Sequence, residues 1–246
     1  MSTAAPAIEL LPHPAGGRTF TMTTKVRLGD VDGNGRLRLD GTARFLQDAA
    51  TDDASDAGLD RRFGWLVRRT KVVTARPASL GEVVEVTTWC TGIGRAWAER
   101  RSQIVGDRGA LVDAVALWVQ VDVATGRPAR VAEDFSAAYA EAAAGRSVSA
   151  RLSIDPPTSS DRSPLWSPRR TDIDPFGHVN NAATWSFVEE YVDLGERRGT
   201  AELEYLAPIR HGEAHGVLIR RDEFVTAALV AESGGVVAAA RWSPAS

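Results

Sequence analysis

Asp172, Asp174, His178, Asn180 and Asn181 crowd into Asp-Ile-Asp-Pro-Phe-Gly-His-Val-Asn-Asn, residues 172–181. Asp174 lies four residues before His178, with Gly177 between them. A carboxylate near an imidazole supplies a base and a proton donor. Glycine lets a backbone N–H come close to a ligand. Helical apolar spacing begins just after the segment, and a helix start carries free N–H groups and partial positive charge. Acyl transfer to water needs this set: a base at Asp174, a donor at His178, and N–H groups near Gly177, Val179 and Asn180 around a developing oxyanion. The same residue types also suit an Asx-turn that buries an imidazole and does no chemistry.

A fainter copy of the segment lies 142 residues upstream. Asp30, Asp32, Gly35, Thr42 and Phe45 recur as Asp172, Asp174, Gly177, Thr184 and Phe187. That is five identities in nineteen aligned pairs, where average residue usage gives roughly one by chance. Phe45, Leu46, Ala49 and Ala50 pair with Phe187, Val188, Tyr191 and Val192, one apolar helical stripe at one phase. The chain therefore reads as a duplicated unit, a polar loop running into an amphipathic helix. The copies differ where chemistry would sit. His178 corresponds to Arg36, so the first loop reads as catalytically dead. Glu189 corresponds to Gln47 and is a further candidate catalytic carboxylate, facing a site across the interface between the copies. The bland reading of Glu189 is a solvated helix face.

The surrounding pattern predicts the elements that position these residues. An edge strand is expected over 19–28, then a helix over 42–57 with Asp40 as N-cap and Gly58 as its stop. Strands follow at 65–75, 83–89, 97–105 and 110–122. In the last of these, Val115, Leu117, Val119 and Val121 share a face. An Ala-rich connector helix covers 133–145, and a Ser/Pro/Asp-rich linker covers 148–164. The second unit repeats the plan: a helix over 182–194, then strands at 201–206, 216–221, 224–231 and 236–242. Strands joined this closely pair antiparallel. Each sheet has one apolar face to cover, and one long helix per sheet does so if the sheet curls around it.

Other chemistries find little support. Asp30-Val-Asp-Gly-Asn-Gly resembles a calcium loop, but its twelfth position is Gly41 instead of a bidentate glutamate. No nucleophile elbow, zinc-binding His-Glu-x-x-His or phosphate-binding glycine loop occurs. Cys90 is the single cysteine, so no internal disulfide or multi-thiol metal site forms, and a reducing cytoplasm fits. In its strand-like run it reads as a passive core thiol. The 246 residues carry a net charge of -3, which argues against nonspecific nucleic-acid binding. No apolar run approaches membrane-spanning length. The first residues lack a signal peptide's basic and apolar regions, and residues 1–17 read as a loose tail. Arginine pairs recur at 61/62, 68/69, 100/101, 169/170, 197/198 and 220/221. They read as solvated strand edges, or as a docking patch for an acidic carrier protein.

Arg69-Thr-Lys-Val-Val, the run 80–89, Gly94-Arg-Ala-Trp-Ala-Glu-Arg and Thr125-Gly-Arg-Pro-Ala-Arg-Val, taken with residues 170–190, resemble the acyl-ACP thioesterase family, bacterial branch. The resemblance implies an α+β double hotdog: two antiparallel sheets, each wrapped around a long helix, side by side as an intrachain pseudo-dimer. It divides the chain into an N-terminal hotdog domain at 18–140, a linker at 141–163 and a catalytic C-terminal domain at 164–246. It implies hydrolysis of fatty acyl thioesters, on acyl carrier protein or coenzyme A, with no cofactor or metal. The acyl chain is expected along apolar helix and sheet surface, and a homodimer of whole chains stays open. In this scheme Asp174 activates water or attacks the carbonyl, His178 orients the thioester or assists the leaving thiol, and Asn181 supports the loop. The family commonly has asparagine where this chain has Phe176, and an acidic residue at the positions aligned with Pro208 and Ile209. Glu202, Glu204 and Glu213 are the nearby carboxylates that could substitute. The rival readings are an enoyl-thioester hydratase of the same fold and a non-catalytic acyl-thioester-binding protein.

Overall fold

Runs of alternating apolar residues fold as strands around two helical segments, in the same order twice. A computed structural model describes residues 10–59, 62–159 and 164–245. The start of the tail, Arg61 and the linker stretch 160–163 lie outside the described residues. In the first copy β1 (Thr19–Lys25) precedes α1 (Leu39–Asp56), and β2 (Phe63–Arg76), β3 (Val83–Ile93), β4 (Trp97–Gly106) and β5 (Leu111–Asp122) follow. The connector helix α2 (Glu133–Ala143) comes next. In the second copy β6 (Leu165–Trp166) precedes α3 (Asn181–Thr184) and α4 (Ser186–Tyr191), and β7 (Gly199–Tyr205), β8 (His215–Arg221), β9 (Val225–Val230) and β10 (Val236–Pro244) complete the unit. The fold is α+β, with every paired strand antiparallel.

The two expected antiparallel sheets join side by side into one sheet of ten strands, in the order β1-β3-β4-β5-β2-β7-β10-β9-β8-β6. Read outward from the centre, each side runs through its second, fifth, fourth, third and first strand in the same sequence. β2 matches β7, β5 matches β10, β4 matches β9, β3 matches β8 and β1 matches β6. The duplication seen in the loops thus extends to the whole topology. The halves fuse because β2 and β7 pair directly, from Arg69↔Glu204 to Thr74↔Gly199. An unpaired strand edge exposes N–H and C=O groups, and joining the two edges satisfies both rows.

One core lies between sheet and helices. Leu39, Phe45, Leu46 and Ala49 of α1 enter it with Trp185, Phe187 and Val188 of the second helical segment. On β5, Val112 and Ala114 reach this core, whereas Val115 and Leu117 are buried from the opposite face. That opposite face is covered by the linker, whereas α2 packs on the helix-bearing face, where Tyr139 donates to Asp53 of α1 at 2.7 Å. Phe135, Tyr139 and Ala143 of α2 pack on Cys90 and Ala98. Burial pushes the Cys90 thiol up to about 11, which keeps it protonated and inert. The linker is held by outward-facing polar groups. Arg69 donates to the carbonyl of Arg151 at 2.8 Å, and Glu204 accepts the N–H groups of Ser153 and Ile154 at 2.6 and 3.2 Å.

Two helix boundaries differ from expectation. α1 starts at Leu39, so Asp40 lies inside its first turn, paired with Arg38 at 2.8 Å, and is not the N-cap. The second helix was expected as one piece over 182–194. It tightens at Trp185, whose N–H reaches the carbonyl three residues back at Ala182, and it ends at Tyr191 where Val192 turns extended. Residues 192–198 are thereby freed to cross to the first copy.

His215 is 1% exposed, its Nδ1 has no partner among the described residues, and Glu213 lies 3.7 Å from Nε2. Burial lowers its pKa below 6.5, against a smaller upward pull from Glu213. The unfolded chain therefore takes up this proton first. Stability from this group is complete above pH 6.5 and is lost as pH falls below that value towards the lower folded-state pKa. Denaturant midpoints measured from pH 7 to 5 should fall, and the fall should be shallower in His215→Leu.

Candidate active site

The two loops repeat one hydrogen-bond pattern. Asp32 Oδ1 accepts the N–H groups of Asn34 and Arg36 at 2.8 and 3.0 Å. Asp174 Oδ1 accepts those of Phe176 and His178 at 2.9 and 3.3 Å. The Asp32 N–H reaches the Arg36 carbonyl at 2.9 Å, as the Asp174 N–H reaches that of His178 at 2.8 Å. Asp30 and Asp172 each accept the N–H of the arginine three residues earlier at 2.7 Å. Gly35 and Gly177 sit at φ 74 and 80, where glycine avoids a Cβ clash. These tight Asx-turns place residues 174 and 178 at the neck of a loop whose tip is exposed, with Phe176 67% accessible.

The second oxygen of each aspartate separates the copies. Asp32 Oδ2 accepts Arg197 Nε at 2.7 Å. The same guanidinium holds Glu189 through two bonds of 2.8 and 2.5 Å, and Glu189 Oε1 also accepts the Leu39 N–H at 2.5 Å. Glu189 thus caps α1 from the other copy. Burial alone would raise the Asp32 carboxyl, yet the Arg36 N–H, Arg197 and the Asn34 N–H hold it below the usual carboxylate range. Arg36 also pairs with Glu196 at 2.7 Å, so the segment freed by the early end of α4 lies over this loop. Beneath it is a cavity of about 10 Å³, the volume of one water position, walled by Leu37, Leu39, Val112, Leu194, Arg197 and Trp242. An open trough of about 450 Å³ lies beside residues 193–198. Both sit on the side of the first loop, and neither touches Asp174.

In the second copy no arginine fills the corresponding place. Asp174 Oδ2 and the His178 imidazole make no hydrogen bond among the described residues. The loop ends at Asn180, whose Oδ1 accepts the Ala182 N–H at 2.8 Å. Tyr205 donates its hydroxyl to the Asn181 carbonyl at 2.9 Å from β7, and burial pushes that phenol above its usual range.

Residues 17–139 match the acyl-ACP thioesterase N-terminal domain, and residues 156–224 match the C-terminal domain of the same family. The chain belongs to the acyl-ACP thioesterase family. It is a thioester hydrolase, and its substrates are fatty acyl thioesters. An uncharacterized protein of Mycobacterium tuberculosis is 30% identical over 210 residues, covering 84% of each chain. The chloroplastic oleoyl-acyl carrier protein thioesterase of Coriandrum sativum is 24% identical, over 78% of this chain and 58% of that one. Two solved structures share the fold. An acyl-ACP thioesterase from Bacteroides thetaiotaomicron superposes with a TM-score of 0.76 at 17% identity, covering 91% of this chain and 96% of that chain. The 12:0-ACP thioesterase from Umbellularia californica gives 0.72 at 21% identity, covering 92% and 98%.

Against the family's pattern, several expected roles shift. The N–H groups of Gly177, Val179 and Asn180, expected around an oxyanion, already donate to the carbonyls of Asp174, Ile209 and Asp172, at 3.0, 2.8 and 2.8 Å. Within residues 172–181, the N–H left without a partner among the described residues is that of Asn181. Support of the loop falls to the Asn180 side chain. Glu189 does face across the pseudo-dimer, but its oxygens are committed to Arg197 and Leu39 beside Asp32, not to Asp174. Ile209 packs against the loop backbone, so the position aligned with the family's acidic residue is apolar. None of the three proposed substitutes is free. Glu202 pairs with Arg241 at 2.8 Å, Glu204 holds the linker, and Glu213 accepts the Arg210 N–H at 3.1 Å. Arg197 carried no signal in the sequence, since its partner Asp32 lies 165 residues away.

Arg197 is 12% exposed and neutralises two carboxylates. Removing one partner of a buried pair costs about 3 kcal/mol. Arg197 also sits at φ 60, where glycine is unstrained. In urea titrations Arg197→Ala should therefore lose about 3 kcal/mol. Arg197→Gly should lose about 1 kcal/mol less, because it relieves the backbone.

Proposed function

We propose that hydrolysis takes place at the second-copy loop, with Asp174 as general base and acyl carrier protein as the carrier of the fatty acyl thioester. One contrast carries this reading: Asp174 keeps an uncommitted carboxylate oxygen where Asp32 is tied to Arg197. Asp174 Oδ2 takes a proton from water as the oxygen adds to the thioester carbonyl. The oxyanion forms against the Asn181 N–H. The matching N–H in the first copy, Leu39, holds a carboxylate oxygen at 2.5 Å, so the position suits an anionic oxygen. The C–S bond then breaks, and the thiolate receives the proton held by the Asp174 carboxyl, directly or relayed through His178, so that both side chains end as they began. The carboxylic acid and free thiol leave.

Arg169, Arg170, Arg198 and Arg221 are exposed and supply cationic surface for an acidic carrier, whereas Arg69, Arg100 and Arg101 of the other pairs are buried; coenzyme A would present its thioester on a smaller anionic handle. The buried Cys90 thiol suits a cytoplasmic setting. No described helix is long and apolar enough to cross a membrane. The rival hydratase chemistry usually needs a polar residue where Phe176 stands.

Thiol release from acyl-ACP and acyl-CoA tests the assignment. Asp174→Asn keeps an oxygen for the turn's N–H donors but cannot act as base. General-base loss should lower kcat about a hundredfold or more. His178→Ala should lower kcat less, with the loop intact by circular dichroism. An Asp174→Asn enzyme that works at the parent rate rejects this site. Tight acyl-thioester binding without turnover in the parent favours the binding-protein reading.

A further inference from the structure

A local two-fold relates residues around the second-copy site to residues around the first. Leu39 corresponds to Asn181, and Glu189 corresponds to Gln47. Glu189 reaches across the pseudo-dimer to the Leu39 N–H at 2.5 Å. By the local two-fold, the counterpart of the Glu189–Leu39 contact is one between Gln47 of α1 and the Asn181 N–H. Several observations agree with that placement. The sheet order is the same from the centre outwards in both copies. α1 packs against α3 and α4. Gln47 is half-buried, and its amide makes no hydrogen bond among the described residues.

We propose that Gln47 is a catalytic residue of the second-copy site, where its side-chain amide donates to the thioester carbonyl oxygen beside the Asn181 N–H. The inference rests on the reading of Asp174 as the base. The chemical difference between the related residues explains why one site is closed and the other open. A carboxylate accepts only, so Glu189 takes the Leu39 N–H for itself in a charge-assisted bond and draws in Arg197. A carboxamide is neutral and carries two N–H donors. It binds the facing N–H weakly and presents a donor to an incoming carbonyl oxygen. The water attack, C–S cleavage and proton transfers are unchanged, and Gln47 adds a second hydrogen bond to the charge that develops on oxygen.

The test uses the full chain with acyl-ACP as substrate. Gln47→Met keeps side-chain length and helix propensity but removes the donor. Loss of one oxyanion donor should lower kcat by about a hundredfold, with KM within about twofold of the parent. Gln47→Glu should fall at least as far, because the new carboxylate takes the Asn181 N–H. Its Asn181 amide proton should shift downfield in a ¹⁵N-resolved NMR spectrum, a readout that needs no turnover. Asp48→Ala, at an exposed neighbour on α1, should keep the parent rate. Parent-like kcat in Gln47→Met, with Asp174→Asn inactive, overturns this role and leaves Asp174 as the base. Parent-like rates in both variants overturn the site itself. An unmoved Asn181 resonance in Gln47→Glu overturns the placement, whether or not Gln47→Met folds.

Discussion

The pairing of β2 with β7 sets the geometry on which everything else depends. Six residues of each strand, from Arg69↔Glu204 to Thr74↔Gly199, join two equivalent edges antiparallel about a local two-fold. That single contact makes one sheet of ten strands, with both helical segments side by side on one face. It also places the start of each helix beside the body of the other. A helix start has N–H groups without intrahelical partners, so whichever residue arrives there decides what those groups bind. The site therefore belongs to neither half alone.

Within this shared geometry the two copies have taken opposite electrostatic solutions. At the first loop, two carboxylates and one guanidinium are drawn together away from water. Such a cluster holds only if every member is paired, because an unpaired buried charge costs several kcal/mol. Asp32, Glu189 and Arg197 meet that condition with distances of 2.5 to 2.8 Å. The second loop has the same turn but no guanidinium, and the carboxylate facing the helix start is replaced by an amide. It forgoes the stabilising pairs and keeps an oxygen and an N–H available. Hydrogen bonds to charged groups contribute about 1.5–3 kcal/mol and neutral ones about 0.5–1.5 kcal/mol. A neutral contact is therefore the one a substrate oxygen can displace or share.

The duplication was legible because an Asx-turn needs particular residues at fixed spacing. Asp, Gly and Thr recur at one offset, and the structure returns the same hydrogen bonds at each. The strands were legible from alternation, and their antiparallel pairing from short turns. The fusion of the sheets was not, because no local pattern distinguishes a central strand edge from a covered one. The N–H groups of Gly177, Val179 and Asn180 were visible as donors, but their partners at Asp174, Ile209 and Asp172 depend on loop closure. Asp40 looked like an N-cap because its type fits. The cap came instead from Glu189, 150 residues away, and no propensity reports that. Arg197 was hidden for the same reason, and the early end of α4 that delivers it was set by tertiary packing.

Fusion of the two copies in one chain is what permits this division. In a dimer of identical chains, a carboxylate placed at position 189 would face both helix starts, and a sealing arginine would close both sites. One substitution could not stabilise the assembly without also removing the chemistry. With the copies joined, Glu189 and Arg197 act at one interface while Gln47 occupies the other. The shortened α4 extends the same asymmetry to shape. Val192 leaves the helix, Gly195 and Arg197 turn through positive φ, and the released segment lies over Asp32. α1 continues for 18 residues and releases no such segment towards Asp174. The strained backbone at Arg197 is tolerated because three hydrogen bonds to two carboxylates over-determine its side chain. The closed copy supplies rigidity, and the loop at 172–181 can remain exposed at its tip and still be held at its neck.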